Sequence, residues 1–376
     1  MIIPDNPELF SVGPDEAVVT CSTPSAELIV TRVGESEIST TGPGHIARFT
    51  GLEPDSEYAL EIEGAEHGPY FPSSFRTLTQ PSGRLVATVA TANDVHFGEV
   101  ECGHLGHPHE DIGPIMSVGP GEPPYPETMN RAVVAEMRAL APDAVVVKGD
   151  LTRAGLPEEY AAFLAVYGGL GDTMFHVRGN HDAIADRTMA LEDTPYAVEL
   201  GSPGRSGVTL AVLDTVIPGT DGGQLTADQV QWLRDLATET SGPVLVFGHH
   251  YLWDLASETR NPHTFGINPD DSEALAAVVA AHENIAGYFA GHTHRNRVKR
   301  YEHVRNVPFA EVACTKDYPG AWGEYRIYEG GYTQVVRRVS EPSAFAWAEK
   351  TRAMFAGVYT DYALGALESR SFSQAW

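Results

Sequence analysis

The sequence predicts an α/β protein preceded by a small all-β sandwich, and three observations carry that expectation. Residues 1–80 alternate short apolar runs with Gly-Pro and Ser/Thr-rich breaks, the rhythm of strands joined by turns. From Arg84 onward, apolar and β-branched runs alternate with segments of helical spacing, the pattern of sheets covered by helices. Several of these later runs end directly in clusters of His, Asp and Asn. Polar groups of that kind are costly to bury without partners, so such clusters are poor packing material.

In the front region, apolar runs fall at 17–21, 27–33, 45–49, 58–62 and 74–78, the spacing of a small β-sandwich. The stretch FTGLEPDSEYALEIEG, Phe49 to Gly64, resembles the fibronectin type III pattern around its Leu-x-Pro-x-x-x-Tyr turn. No catalytic cluster lies here, and residues 1–80 read as a structural or interaction module. His45 and His67 read as solvated. Gln80-Pro-Ser-Gly83 reads as the linker to a main domain over 84–340.

The main domain opens with a continuous apolar strand at 85–92, as burial on both faces requires. Helical spacing over 126–140 lets Met129, Val133, Val134, Met137 and Leu140 share one face. A strand at 144–147, a helix at 157–167 and a strand at 173–177 follow. Later strands are expected at 208–213, 244–247 and 285–290, with helices at 226–237 and 271–281 between them. Runs at 324–328 and 332–339 read as strands with no helix between. The aromatic-rich tail, 341–376, is expected to be helical. It should pack on the chain's own body or on a second copy rather than act as a lid.

Composition bounds the partners. Of 376 residues, 42% are apolar, enough for a large core, and 51 Asp+Glu against 25 Lys+Arg give a formal net charge of −26. Such a chain should repel nucleic acid and anionic membranes. It can bind a phosphate ester only where a local cation inverts the field, which points to metal. Cys21, Cys102 and Cys314 lie too far apart for a disulfide framework or a zinc-finger spacing. The opening MIIPDNPELF lacks the charged and apolar regions of a signal peptide, and no run approaches a membrane span. A soluble cytoplasmic protein is the expectation.

The clusters carry the chemistry. Asn93-Asp94-Val95-His96 follows the first main-domain strand, and Gly149-Asp150 the next. Gly179-Asn180-His181-Asp182 follows the third, then come Gly248-His249-His250 and Gly291-His292-Thr293-His294. In an extended strand end, residues i and i+2 share a side, so Asp94 with His96, and His292 with His294, can each grip one ion. Asp150 can bridge two ions. Asn180 can give its amide oxygen to a metal while His181 handles a proton beside it. Glycines beside the ligands allow close approach, and carboxyl ends of strands are where α/β sheets place their sites.

In order and spacing these clusters resemble the calcineurin-like metallophosphoesterase superfamily over about 85–338. The resemblance implies a four-layer α/β/β/α sandwich. It makes Asp94, His96 and His294 ligands of one divalent transition-metal ion, and Asn180, His249 and His292 ligands of a second, with Asp150 bridging. It selects His249 over its neighbour, leaving His250 to support the ligands from behind or to face substrate, and makes His181 the acid or phosphate contact with Asp182 orienting it. The implied reaction is attack on a small phosphate ester by a hydroxide between the ions. VVVKGDLTRAGLPEEY resembles class III cyclic nucleotide phosphodiesterases and glycerophosphodiesterases, so a phosphodiesterase is the expectation. A phosphomonoesterase is the alternative, and a non-catalytic scaffold of the same fold comes third. The front module is similar to that of purple acid phosphatases. Their iron-binding tyrosine is replaced here by Arg153, so Mn, Fe(II) or Zn is implied rather than a purple ferric site.

Three further features invite expectations. The Gly/Pro-rich loop 97–125, holding Glu99, Glu101, Cys102, His104, His107, His109 and Asp111, reads as a flap along the substrate cleft. A third metal site or a plain insertion are its alternatives. Arg178 and Lys148 place positive charge near the site, as structural pairs or as phosphate contacts. The basic run 295–300 reads as a solvated face. A homo-oligomer through the tail or the front module is a further expectation.

Overall fold

The computed structural model describes residues 2–104, 112–191, 194–201 and 207–376. The chain begins with β1 (Asp5–Val12), β2 (Glu16–Val33), β3 (Ser36–Thr50), β4 (Glu57–Ile62) and β5 (Ser74–Arg76). They form one connected antiparallel network, order β1-β2-β4-β5 with β3 on β2. The break expected after residue 21 is instead a register shift between Ser22 and Glu27 within one 18-residue strand. That irregularity bends β2, so the sheet wraps a core that includes Leu9, Val19, Ile29, Phe49, Leu60 and Phe75. His45 is not solvated: it is buried, with its ring nitrogens on Thr23 Oγ1 and Thr40 Oγ1.

The main body runs through β6 (Leu85–Ala92), a small hairpin of β7 (Glu101–Cys102) and β8 (Met116–Ser117), α1 (Tyr125–Leu140), β9 (Ala144–Lys148), α2 (Pro157–Tyr167) and β10 (Met174–Val177). Next come β11 (Tyr196–Leu200), β12 (Val208–Val212), α3 (Ala227–Glu239), β13 (Val244–Phe247), α4 (Pro269–Ala281), β14 (Ile285–Ala290), β15 (Arg297–Lys299) and β16 (Phe309–Glu311). The chain finishes with β17 (Ala321–Tyr328), β18 (Gly331–Arg338), α5 (Pro342–Thr351), α6 (Tyr359–Leu364), α7 (Leu367–Arg370) and β19 (Ser371–Ala375). Helix starts are marked in the sequence. Pro occupies the first turn of α1, α2, α4 and α5, where its missing N–H costs nothing, and Thr226 and Asn268 cap α3 and α4.

Two six-stranded sheets result, ordered β10-β9-β6-β17-β18-β19 and β11-β12-β13-β14-β16-β15. Strand alternation decides the layers. Ala144 and Val146 of β9, with Leu245 and Phe247 of β13, point into the core between the sheets. Val145 and Val147 point outward to a core that includes Met129 of α1, Phe163 of α2 and Trp347 of α5. Val244 and Val246 point outward to Leu233 of α3 and Leu275 of α4. The order is therefore α/β/β/α. The tail is helical as expected up to Arg370, but its last residues pair with β18 and bury Phe372 between the sheets.

The front module is fastened to this body by buried charges. Glu8 Oε1 accepts from Arg352 Nη1 at 2.7 Å, and Glu16 Oε2 from Arg337 Nη1 at 2.6 Å. Burial pushes both carboxyl groups up, yet the facing guanidinium groups hold each at about 2. Phe10 and Val18 lie in the same core as α1 and α5.

Candidate metal centre

The parallel strands β6, β9 and β10 of one sheet, and β13 and β14 of the other, deliver their carboxyl ends to one edge of the molecule. The ligand-bearing loops there are not extended. Asp94, His96, Asp150, His292 and His294 have φ of 51°, 44°, 49°, 70° and 55°, a left-handed region that side chains avoid. The i, i+2 pairs thus converge through tight turns rather than strand alternation. Such strain persists only where the surroundings hold it. Here the amides of Val95 and His96 both bond Asp150 O at 3.0 Å, and Asp94 N bonds Gly149 O at 3.0 Å. Two glycines are required by close approach. A Cβ at Gly149 would lie 2.4 Å from His249 Nδ1, and one at Gly179 would lie 2.2 Å from Asp150 Oδ1.

Two donor groups meet at Asp150. Its Oδ2 lies 3.4 Å from His96 Nε2, and its Oδ1 lies 3.4 Å from His249 Nε2. On the first side, Asp94, His96, Asp150 and His294 bring ligand atoms within 4.8 Å of one another, with His294 Nε2 3.5 Å from Asp94 Oδ1. On the second, His249 Nε2 lies 3.0 Å from Asn180 Oδ1 and 3.2 Å from His292 Nδ1. His249 Nδ1 is on Lys148 O at 2.8 Å, which fixes the ring with Nε2 toward the group. Mixed imidazole and carboxylate donors of this kind suit a transition-metal ion. His96 fits that reading: it is buried, and neither ring nitrogen has a hydrogen-bond partner among the described residues.

Protonation favours ligation at His96 and His292 but not at His294, which burial lowers yet Cys314 and Asp94 hold well above the usual imidazole range, so a metal there would displace a proton. Burial opposes ionisation of Asp94 and Asp150, but the imidazoles of His294 and His249 respectively hold each below the usual carboxylate range. Burial, reinforced by His249, pushes His292 down to about 3, and burial also lowers His96. Ionised carboxylates and neutral imidazoles are what a metal requires.

His181 stands at the surface of the cleft beside this centre, its ring 4.6 Å from that of His96. Its Nδ1 is on Arg153 O at 2.7 Å, leaving Nε2 toward the cleft. The contact that orients His181 is therefore Arg153, not Asp182 as the sequence suggested. Asp182 instead accepts from Thr152 N at 2.7 Å, Thr152 Oγ1 at 2.6 Å, Leu151 N at 3.1 Å and Gly179 N at 2.7 Å. It clamps the Asp150 turn to the Asn180 turn. Burial and the Asp150 charge push it up to about 6 against those bonds.

Neither Arg178 nor His250, the two candidate substrate contacts, is among the residues that line the cleft. Arg178 is buried, with Nη2 2.7 Å from Asp214 and Nη1 2.6 Å from Arg187 O. His250 is fully buried behind His292, its Nδ1 on Thr215 Oγ1 at 2.8 Å. Lys148 is buried too, reaching across to Ala290 O at 2.6 Å. Arg178 and Lys148 are absorbed by partners distant in sequence, whereas His250 also stands in one close donor group with His249 and His292, its Nε2 without a hydrogen-bond partner among the described residues.

The cleft itself, about 850 Å³, is walled by segments the ligand pattern does not mark. Glu99, Glu101 and His104 of the expected flap line it; His107, His109 and Asp111 lie outside the described residues. Lys316 lines it, buried, 2.6 Å from Glu99 and 3.0 Å from Asp317. Asp317 in turn accepts from Tyr359 OH at 2.6 Å and Cys314 Sγ at 2.8 Å. Cys314 and Asp317 form a third close group, but one that shares His294 with the first. Arg295 is not on a solvated face; it too lines the cleft, with Met354, Phe355 and Tyr362 of the tail.

The sequence pattern of the calcineurin-like phosphoesterases matches residues 87–296, which carry every ligand named above. The chain belongs to the calcineurin-like phosphoesterase family. Calcineurin-like phosphoesterases are metal-dependent phosphoric ester hydrolases that use divalent metal ions, and this chain is one of them. A glycerophosphodiester phosphodiesterase of Enterobacter lignolyticus is 31% identical over 198 residues, 50% of this chain and 68% of that protein. A cAMP/cGMP dual specificity phosphodiesterase of Mycobacterium tuberculosis is 29% identical over 203 residues, 51% of this chain and 61% of that protein. Among solved structures, a dimetal phosphatase from Danio rerio superposes with a TM-score of 0.53 at 16% identity, over 69% of this chain and 98% of that one. That likeness speaks to the fold. Among the described residues, no helix is long and apolar enough to cross a membrane.

Proposed function

We propose that this calcineurin-like phosphoesterase hydrolyses small phosphodiesters at a binuclear centre of Mn, Fe(II) or Zn. The observation that carries the reading is Asp150, whose two carboxylate oxygens each face a separate donor group. Asp94, His96 and His294 would complete one site; Asn180, His249 and His292 the other. Ions held there would acidify a water and neutralise charge on the phosphoryl oxygens.

The chain's own residues supply the rest. Asp182 fixes the separation of the two turns that carry Asp150 and Asn180. The Arg153 carbonyl holds the His181 Nδ1–H, so Nε2 faces the cleft and can give a proton to the departing alkoxide. The leaving alcohol and a phosphomonoester would be the products. Diester preference is supported by the two relatives, whose names specify glycerophosphodiesters and cyclic nucleotides.

The test is a panel of phosphoesters run on metal-reconstituted protein. Bis(p-nitrophenyl) phosphate should turn over faster than p-nitrophenyl phosphate, with cyclic nucleotides and glycerophosphodiesters as natural diesters. Faster turnover of monoesters would overturn the diester assignment, and no turnover of either with metals bound would overturn the reading.

A further inference from the structure

The family match ends at residue 296, yet the wall facing the metal centre is built from residues 354–362. That segment is registered on the metal-binding turn itself. Asn296, two residues beyond His294, donates from its backbone N to Ala363 O at 2.9 Å, and from Nδ2 to Ala363 O at 3.2 Å and Leu364 O at 3.1 Å. Asn296 Oδ1 accepts from Ala313 N at 3.1 Å, so the amide cannot swing away. The residue before each anchor is thereby paired: Arg295 lies with its guanidinium 5.2 Å over the ring of Tyr362.

Further contacts hold Tyr362 in place while leaving its ring open. Its ring is stacked on Tyr359 at 6.4 Å, and the Tyr359 hydroxyl is tied to Asp317. The front module holds the same helix through Tyr70 OH on Asp361 Oδ1 at 2.7 Å. Tyr362 nevertheless remains 42% exposed, and it lines the cleft. Earlier in the same segment, with the Phe355 ring 5.5 Å from that of Tyr359, Phe355 and Ala356 have φ of 53° and 57°, two consecutive side-chain-bearing residues in the left-handed region. Strain of that kind is kept where a side chain must be aimed, and Phe355 is aimed into the cleft. On the far side of Arg295, at 5.9 Å from its guanidinium, lies the ring of Tyr251.

We infer that Tyr362, with Phe355 lining the same cleft, is a stacking platform that selects phosphodiesters carrying a flat heteroaromatic group on one ester arm. Arg295 stiffens the platform through its contact with the Tyr362 ring, and the hydrolysed bond lies at the metal centre in the same cleft. This deepens the phosphodiesterase reading and rests on it for the bond cleaved, but the binding preference can be measured without turnover.

The experiment is calorimetric titration of metal-loaded protein with adenosine 5′-monophosphate and with glycerol 3-phosphate, which share a phosphate and differ in the flat ring. The wild type should bind the nucleotide about tenfold or more tightly than glycerol 3-phosphate, the scale of one base–aromatic stack. Tyr362→Ala should abolish that gap while leaving glycerol 3-phosphate affinity and metal content unchanged; Tyr362→Phe should keep it. Equal affinities in the wild type, a gap that survives Tyr362→Ala, or a gap lost equally in Tyr362→Phe would each overturn the inference. Failure of the wild type to hydrolyse any diester would instead overturn the phosphodiesterase reading and leave this result standing.

Discussion

His181 is placed for proton transfer rather than for ligation. Asn180 Oδ1 faces His249 Nε2 and so takes the proposed ligand position of that turn, and His181 Nδ1 is committed to Arg153 O. We predict that His181→Ala keeps its metals, measured by elemental analysis, and slows hydrolysis roughly 10²–10⁴-fold. The deficit should shrink for p-nitrophenolate, which leaves without a proton; a uniform deficit would make His181 an electrostatic contact. Asp182 has a different task. With four donors on one buried carboxylate, Asp182→Ala should cost about 3 kcal/mol or more of unfolding free energy in urea, because buried amides lose their acceptor. A loss of activity at unchanged stability would contradict the clamp. The meeting of the candidate donors was legible in the sequence because polar clusters recur at the ends of apolar runs, most of them beside a glycine. The fates of Arg178 and His250 were not, since Asp214 and Thr215 meet them only through the fold.

At the scale of elements, the junction of β1 and β2 with β18 and α5 makes a pH prediction. Glu8 and Glu16 stand at about 2 in the folded chain against an ordinary 4.5. Their contribution is therefore fully present above about pH 4.5 and is lost as pH falls toward 2. Glu8→Gln should destabilise the protein by about 3–5 kcal/mol at pH 7, because Arg338 and Arg352 lose a buried partner. Urea unfolding should show that gap narrowing at pH 3; a variant as stable as the wild type at pH 7 would contradict the pairing. Central strands were readable from continuous apolar runs such as Ala144–Lys148. Short strands at or next to the sheet edges were not: β15 and β16 span three residues each, and β19 is an alternation too brief to distinguish from helix. Their pairing is decided by the sheet edge they meet, not by local propensity.

At the scale of the molecule, the residues that match the family supply the metal-binding edge, while segments on either side fasten and wall it. Helices outside sheets were legible because helix and strand periods alternate along the chain, whereas the four-layer order was implied by the family resemblance. The cleft wall was not legible, because Phe355 and Tyr362 reach it through contacts distant in sequence: Asn296 to Ala363 and Leu364, Asp317 to Tyr359, and Tyr70 to Asp361. The central claim is that two ions share Asp150. The most direct test is to add Mn²⁺ stepwise to metal-free protein and follow hydrolysis of bis(p-nitrophenyl) phosphate. The account predicts a rise that levels off at about two ions per chain in the wild type and no rise in Asp150→Ala, whose loss leaves two cations without the charge between them. Full turnover in chelator-treated protein, or a plateau at one ion per chain, would contradict it.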